Sequence, residues 1–392
     1  MQSRYQSIRT CWVTWLVVLF AHLLSVQAFA FQIAPLGSSF EAKLTNEPES
    51  TLAKVAGKLG RLVKGSVHEE ITELAYDCPV DFSELATDAQ CAQRDVPFAS
   101  AFVIYGVRWN DLPPFRLGPD EGRGCKKFLT RGPACNTSQT IRFSTQPECW
   151  YCIFTDAEKY TANGGTIVGC QAGQMKGQGG AQGNMLSRSH YGDLQFLHSM
   201  AVRDAMRPEE TREQILAWLE FAWKVSTGEI KATQKLAELD IPLMADRFSC
   251  SGWTVADLYI LGRQDKLLRR LPDIAFGSVL HTVQDSFSSS HTQRSTVQAG
   301  YCASDEKYRR PGRIIEFHSY GSQDGHLHDA EDQRTAMVGH VIENQTEAIR
   351  ASQMLVDLAR KPWVEVKPYV ACLFDLDPTA NPASPGDAYK RQ

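Results

Sequence analysis

Apolar residues recur at helical spacing through most of this chain, which predicts a largely helical body. The spacing predicts helices over about 62–76, 208–223, 229–239 and 253–269, and one long last helix over about 329–360. An apolar run over 98–109 leads into Asn110-Asp111-Leu112-Pro113-Pro114, where the two prolines end any helix. The predicted fold class is therefore all-α, as a helical bundle.

Residues 113–187 have a different character from the rest of the chain. They carry five cysteines and a low-complexity, glycine-rich patch at 173–180, and they show little helical periodicity. We expect a Cys-rich irregular insertion with short strands, stapled by disulfides. The end of the chain, 362–392, is proline-rich, and we expect it to be irregular and tied down by Cys372.

The first thirty residues have the form of a signal peptide. Arg4 and Arg9 precede an apolar run, and Ala28-Phe29-Ala30 offers a cleavage site with small residues, with Val26-Gln27-Ala28 as a second choice. We predict that residues 1–30 are removed and that 31–392 form one domain, secreted or periplasmic. An uncleaved membrane anchor is the alternative, and the run is short for one.

Cysteine usage fits export. The chain has 11 cysteines, and removal of Cys11 with the signal peptide leaves ten, an even number that indicates disulfides in an oxidising compartment. Zinc held by thiolates is the alternative, prompted by Cys149-Trp150-Tyr151-Cys152. The net charge of −4 gives no basic excess, so we expect no stable nucleic-acid partner, although a nuclease whose metals supply positive charge is compatible with it.

The most informative motif is His281-x3-Asp285-x5-His291. On a helix, His281 and Asp285 stand one turn apart on one face, where they can hold one cation. His291 points elsewhere, which suits a second, neighbouring metal. The alternative is a solvated His–Asp pair on a surface helix, since Phe276, Leu280, Val283 and Phe287 form an apolar stripe on the other side.

Four more segments carry residues of the same chemistry. His328 and Asp332 repeat the one-turn His–Asp spacing, and His68 lies on the predicted helix near the N-terminus. Asp111 follows an apolar run, a position where a carboxylate is costly unless paired or bound to metal. His190 lies in Ser189-His190-Tyr191. The other candidate histidines are His318, an alternative to His328; His198 and His340, which we expect to be structural; and His326, which we expect to be solvated.

The order of these residues resembles the zinc-dependent phospholipase C family and the related secreted fungal single-strand nucleases. The resemblance implies an all-helical enzyme around a polynuclear zinc site with two or three Zn²⁺. It places Asp111, His190, His281 and Asp285 on one zinc, His291, His328 and Asp332 on a second, and His68 with Asp285 on a third. In that family an N-terminal tryptophan completes the third zinc, whereas cleavage here leaves Phe31 or Phe29 first.

By this resemblance, the expected activity is that of an exported zinc phospholipase C. It would hydrolyse phospholipids at a membrane surface to diacylglycerol and a phosphorylated headgroup, with Asp111 as the base or water-orienting group. The first alternative is a single-strand nuclease or 3′-nucleotidase with the same zinc site. The second is a secreted, disulfide-rich binding protein without catalysis, whose histidines are structural.

Overall fold

The computed structural model describes most of the chain after residue 66. The described residues are 51, 67–78, 98–118, 121–127, 131–169, 183–248, 252–261, 265–296, 298–302, 309–334, 336 and 347–391. The predicted signal peptide, His340 and the glycine-rich patch at 173–180 lie outside them.

The described residues are mostly helical, as the apolar periodicity predicts. Twelve α-helices can be followed among them: α1 Val67–Ala75, α2 Ala101–Trp109, α3 Pro147–Ala162, α4 Met185–Tyr191, α5 Pro208–Ser226, α6 Pro242–Phe248, α7 Val255–Ile260, α8 Asp265–Leu268, α9 Leu271–Asp285, α10 Gly325–Glu331, α11 Glu347–Leu358 and α12 Trp363–Leu373. Three 3-10 turns, Gln195–His198, Leu236–Glu238 and Tyr320–Ser322, join some of them.

The sheet content of these residues is one small antiparallel pair. Strand β1, Thr292–Arg294, pairs with β2, Ile314–Phe317, so that Thr292 faces Phe317. The register shifts after Gln293, which marks a bulge. The pair begins directly after His291, whose carbonyl accepts a hydrogen bond from the His318 amide at 2.8 Å. The pair therefore fixes the backbone on which His291 stands.

Helix α9 is the centre of the fold. It packs on α2, α5, α1 and α11, and every residue from Ile274 to Asp285 is buried. The helix therefore has no solvated face, and its apolar stripe accounts for only part of its buried surface. The alternative of a surface helix with a solvated His–Asp pair is wrong, because neighbouring helices cover both sides.

Two glycines allow α2 and α9 to approach closely. A Cβ on Gly106 would lie 2.0 Å from the carbonyl oxygen of Ile274, and one on Gly277 would lie 2.2 Å from that of Val103. Any larger residue would push the two backbones apart. This contact brings the end of α2, where Asp111 follows, against the middle of α9.

The region 113–187 is less irregular than its composition predicts. It contains the sixteen-residue helix α3, which starts at Pro147 and buries Trp150 and Phe154. Disulfides Cys125–Cys152 and Cys135–Cys149 tie this helix to the preceding loop. The expectation of an irregular insertion is therefore wrong over α3. The thiolate zinc site is excluded as well, since Cys149 and Cys152 are both in disulfides.

The C-terminal third also departs from the predicted pattern. The single helix over 329–360 is wrong, because α10 ends at Glu331 and the backbone turns at Asp332. The segment after Pro362 is not wholly irregular, since it opens with α12 before it continues as turns and isolated bridges. Its attachment through Cys372 is confirmed by the disulfide with Cys302. None of the described helices combines the length and the apolar character that a membrane span requires.

Candidate metal centre

His281 and Asp285 lie together in the middle of the protein. Both are fully buried on α9, one turn apart. His281 Nε2 is 3.0 Å from Asp285 Oδ2, and the other ring nitrogen, Nδ1, donates to the carbonyl of Val107 at 2.6 Å. Because Nδ1 carries the proton in the neutral ring, Nε2 presents a lone pair toward the carboxylate.

Asp111 reaches the same point from the end of α2. Its Oδ1 lies 3.8 Å from His281 Nε2, and neither of its oxygens has a hydrogen-bond partner among the described residues. The neighbouring Asn110 holds the segment in place by donating to the Leu197 carbonyl at 2.8 Å and accepting from Ser278 at 2.6 Å. A buried carboxylate with both oxygens unbonded is costly unless a cation lies nearby.

His198 is the residue that sequence reasoning missed. We expected it to be structural, on a periodic helix, but it ends a 3-10 turn docked on α9. Ser199 adopts a left-handed conformation (φ 54°) and donates to the Thr282 carbonyl at 2.6 Å. This turn places His198 Nδ1 3.0 Å from Asp285 Oδ2. The expected position on a periodic helix is therefore wrong, and the ring stands among the candidate ligands.

We call Asp111, His198, His281 and Asp285 the first donor group. Its facing atoms are separated by 3.0 Å (His198–Asp285), 3.0 Å (His281–Asp285), 3.2 Å (His198–His281), 3.7 Å (His198–Asp111) and 3.8 Å (His281–Asp111). Four ligands at about 2.0–2.1 Å around a tetrahedral cation are separated by about 3.3 Å. These five separations are close to those of a tetrahedral metal site, and His198, His281 and Asp285 have ligand atoms within 4.8 Å of one another.

His68 approaches the same carboxylate from the other side. Thr72 donates to the His68 carbonyl at 2.8 Å and accepts from Gln284 Nε2 at 3.0 Å, so the amide oxygen of Gln284 faces His68 Nδ1 at 2.6 Å. His68 Nε2 then lies 3.1 Å from Asp285 Oδ1. His68, Asp111 and His281 have ligand atoms within 4.8 Å of one another, so His68 adds a further candidate donor beside the other two.

A second donor group, His291, His328 and Asp332, lies next to the first. His328 Nε2 is 3.0 Å from Asp332 Oδ2, and His291 Nε2 is 3.8 Å from Asp332 Oδ1. The two groups are adjacent, since His291 Nδ1 is 4.0 Å from Asp285 Oδ2. With three protein donors, the second group leaves a coordination position open, which is the pattern of catalytic metal sites.

Side chains around the second donor group hold it in place. Asp324 caps the start of α10, accepting from the amides of His326 and Leu327, and His328 follows in the first turn. Gln323 accepts from His328 Nδ1 at 2.6 Å and donates to the Ser290 carbonyl at 2.8 Å. Asp332 Oδ1 accepts from two serine hydroxyls, Ser288 at 2.8 Å and Ser290 at 3.1 Å. Such outer hydrogen bonds orient metal ligands and raise affinity.

His190 stands at the edge of this centre. Its Nδ1 lies 3.0 Å from the Leu186 carbonyl within α4, and its ring packs 5.0 Å from that of His198. Asp111, His190 and His198 have ligand atoms within 4.8 Å of one another. The structure thus brings His190 to the centre. However, the histidine that lies with His281 and the two aspartates at spacings of 3.0–3.8 Å is His198.

Five of the six central histidines share one arrangement: Nδ1 bonds to a protein oxygen and Nε2 faces the centre. The five bonds are His68–Gln284, His190–Leu186, His281–Val107, His291–His198 and His328–Gln323. Metal-binding histidines almost always carry such a bond, because it fixes the tautomer that leaves the other nitrogen as a ligand.

Burial shifts the pKa of every titratable group of the centre in the direction that favours the neutral form: it lowers the pKa of the histidines and raises that of the aspartates. Desolvation lowers the pKa of His190, His281 and His328 to about 3 and raises that of Asp332 to about 7. The pKa of Asp111 is raised well above its usual value by burial, and then by the charges of neighbouring carboxylates. Neutral imidazoles are ready to bind a cation, and a bound cation offsets the cost of ionised carboxylates.

A small cavity opens between the two donor groups. Its walls are side chains that are nearly all buried: Ser189, His190, Gln195, His198, Met200, His291, Tyr320 and His328. Tyr320 stands edge-on to His328, with ring centroids 4.7 Å apart. A group in this cavity would touch imidazoles of both donor groups.

Of the other candidate histidines, His318 and His326 lie away from the two donor groups. His318, the alternative to His328, is turned away: its Nδ1 lies 3.1 Å from the Ser290 carbonyl, and its ring packs on Gly386 and Tyr389. His326 is exposed on α10, and His340 lies outside the described residues.

Comparisons with known proteins identify no relative of this chain. No protein-family model, no curated protein and no solved structure matches the chain.

Proposed function

We propose that the protein is an exported, zinc-dependent phosphodiesterase of the phospholipase C type. The observation that carries the proposal is the pair of adjacent donor groups, one with four donors and one with three. Two neighbouring cations are a common arrangement for phosphate-ester hydrolysis. Six imidazoles and three carboxylates suit Zn²⁺ better than Mg²⁺ or Ca²⁺, which prefer oxygen ligands.

Bound zinc would supply Lewis-acid polarisation of a phosphoryl oxygen and a lowered pKa for bound water. The chain's own residues set the geometry. The fixed Nδ1 bonds hold the rings of the centre, and buried side chains form the walls of the cavity between the groups. The reacting ester would thus sit in a preorganised, low-dielectric site.

Asp111 is the residue we assign to proton transfer. Water attacks phosphorus as the bond from phosphorus to the leaving oxygen breaks, and the proton of that water passes to Asp111 Oδ2 and from there to the leaving alkoxide. The Oδ2 atom has no hydrogen-bond partner among the described residues, so it is available to accept the proton.

Phospholipid is the substrate class we favour, through the resemblance of His281-x3-Asp285-x5-His291 to the phospholipase C family. A single-strand nuclease is the second candidate, and one observation favours it. The Tyr320 ring borders the cavity beside His328, where a nucleic-acid base can stack on an aromatic side chain.

Two measurements test these proposals. Elemental analysis of the purified protein should find at least two zinc ions per chain, and less than one would remove both enzymes and leave a binding protein. Zinc-loaded protein should then release phosphocholine from phosphatidylcholine vesicles faster than it cleaves single-stranded DNA. The reverse preference would assign the nuclease.

A further inference from the structure

His198 differs from every other histidine of the centre. The other five bond through Nδ1 to a backbone carbonyl or a glutamine amide oxygen, whereas His198 Nδ1 bonds to the Asp285 carboxylate and faces His281 and Asp111. Its second nitrogen, Nε2, is buried and has no hydrogen-bond partner in the part of the chain that the structure describes. The ring is only 4% exposed, so bulk water does not replace that partner.

The tautomer of His198 follows from its place in the first donor group. A neutral imidazole that binds a cation through Nδ1 carries its proton on Nε2. Nε2–H is then a buried donor, made more acidic by the cation, and it requires an acceptor. Because no described protein oxygen serves, a group bound beside the ring can supply the acceptor.

The cavity indicates what that acceptor is. The His198 ring forms part of its wall together with His291 and His328 of the second donor group. No carboxylate is among the described residues of this wall, and with cations in both donor groups the cavity would be electropositive. An anionic oxygen is the acceptor that such surroundings favour.

We propose that His198 Nε2–H donates a hydrogen bond to a phosphoryl oxygen of the group bound in this cavity. One side chain would thus bind the first cation through Nδ1 and contact the substrate through Nε2. The assignment rests on the proposed zinc phosphodiesterase and adds a residue that orients the phosphate and stabilises charge on it. A bond to an ionised oxygen is among the stronger hydrogen bonds in proteins.

The test uses inorganic phosphate as the probe and nuclear magnetic resonance as the readout. Zinc-loaded full-length protein labelled with ¹⁵N-histidine should show a ring N–H resonance that disappears in His198→Asn. Saturating phosphate should shift this resonance strongly, while the N–H resonances bonded to protein oxygens stay close to their positions. A resonance that phosphate leaves in place, or that is absent altogether, would overturn the proposal.

The variant provides a second measurement. Asparagine reaches the position of Nδ1 and can still offer a ligand atom there, but it has nothing at the position of Nε2. With zinc content unchanged, phosphate affinity measured by calorimetry should fall about 10-fold or more in His198→Asn. Unchanged affinity, or no phosphate binding by the wild type, would contradict the assignment.

A matched control separates this effect from general disturbance. His318 is also buried, and its Nδ1 bonds to the Ser290 carbonyl. His318→Asn should keep the phosphate affinity of the wild type. If His198→Asn loses zinc, the resonance of the wild-type protein decides alone. A wild type with less than one zinc per chain would instead overturn the proposed function, and this inference with it.

Discussion

The two donor groups are built in different ways, although they lie side by side. The first takes its four donors from α9, from the segment after α2 and from the turn ending at His198, all buried within the helical core. The second takes three donors from the residue before β1 and from α10 and its end, at a place where the backbone turns. A closed set of donors in the core suits a permanent ion, whereas the open set suits an ion that meets substrate.

The comparison teaches how rigidity is distributed. Gly106 and Gly277 fix the first group by backbone contact between helices. Side-chain hydrogen bonds from Gln323, Ser288 and Ser290 fix the second. Substitutions in the first group should therefore disturb both ions and the fold, and substitutions in the second should act more locally.

The largest effect is expected from His281→Ala. The Nε2 atom of His281 lies 3.0 Å from Asp285, whose other oxygen faces His68. The substitution therefore removes a donor next to the carboxylate that the neighbouring donors surround. Zinc content should fall, and phosphodiesterase activity should drop by more than about 100-fold, because removal of an outer partner alone costs about 10- to 100-fold. Exposed His326→Ala is the control, and retained turnover in His281→Ala would refute the assignment.

His328→Ala should show whether the two donor groups bind their metal ions independently. It removes one of three donors of the second group while leaving all four of the first. We expect elemental analysis to find one zinc fewer per chain and thermal unfolding to change less than in His281→Ala. Loss of all zinc from His328→Ala would mean that the groups do not bind independently.

Gln323→Leu sharpens the comparison without touching a ligand. The substitution removes the acceptor of His328 Nδ1–H and leaves the first donor group's contact from His281 to the Val107 carbonyl intact. Affinity for the more weakly held zinc should fall about 10- to 100-fold, measured by competition with a chelator. Equal weakening of every bound zinc would argue against a local role for Gln323.

The smallest effect concerns the metal-free protein in acid. His190, His281 and His328 have a pKa of about 3 when folded, so between that value and 6.5 only the unfolded chain binds their protons, and stability falls as pH drops below 6.5. Asp332, with a folded pKa of about 7, acts in the opposite direction as pH falls from 7 toward 3.8. Imidazoles outnumber carboxylates in the centre, so destabilisation should win.

Thermal unfolding of chelator-treated protein checks this sign. The Tm should be lower at pH 5 than at pH 7.5. A higher Tm at pH 5 would mean that the carboxylates dominate and that the buried imidazoles are not neutral in the folded state.

Local spacing was enough to locate most of the centre. His281, Asp285, His328 and Asp332 stand one helical turn apart in the sequence, and that spacing alone places each pair on one face. The helical character of the body follows from apolar periodicity in the same way. The apolar stripe of α9 did not reveal that the helix is buried on every side from Ile274 to Asp285, because apolar periodicity identifies only one face of a helix.

Only the tertiary structure decided which histidines belong together. His190 and His198 lie eight positions apart, and the sequence favoured His190 because an aromatic residue follows it. A left-handed turn at Ser199, docked on the carbonyl of Thr282, brings His198 among Asp111, His281 and Asp285. The sequence determined which residues can bind metal, because that depends on side-chain chemistry and helical period. Which of them meet at one point depends on contacts between residues remote in the chain, which neither period nor spacing encodes.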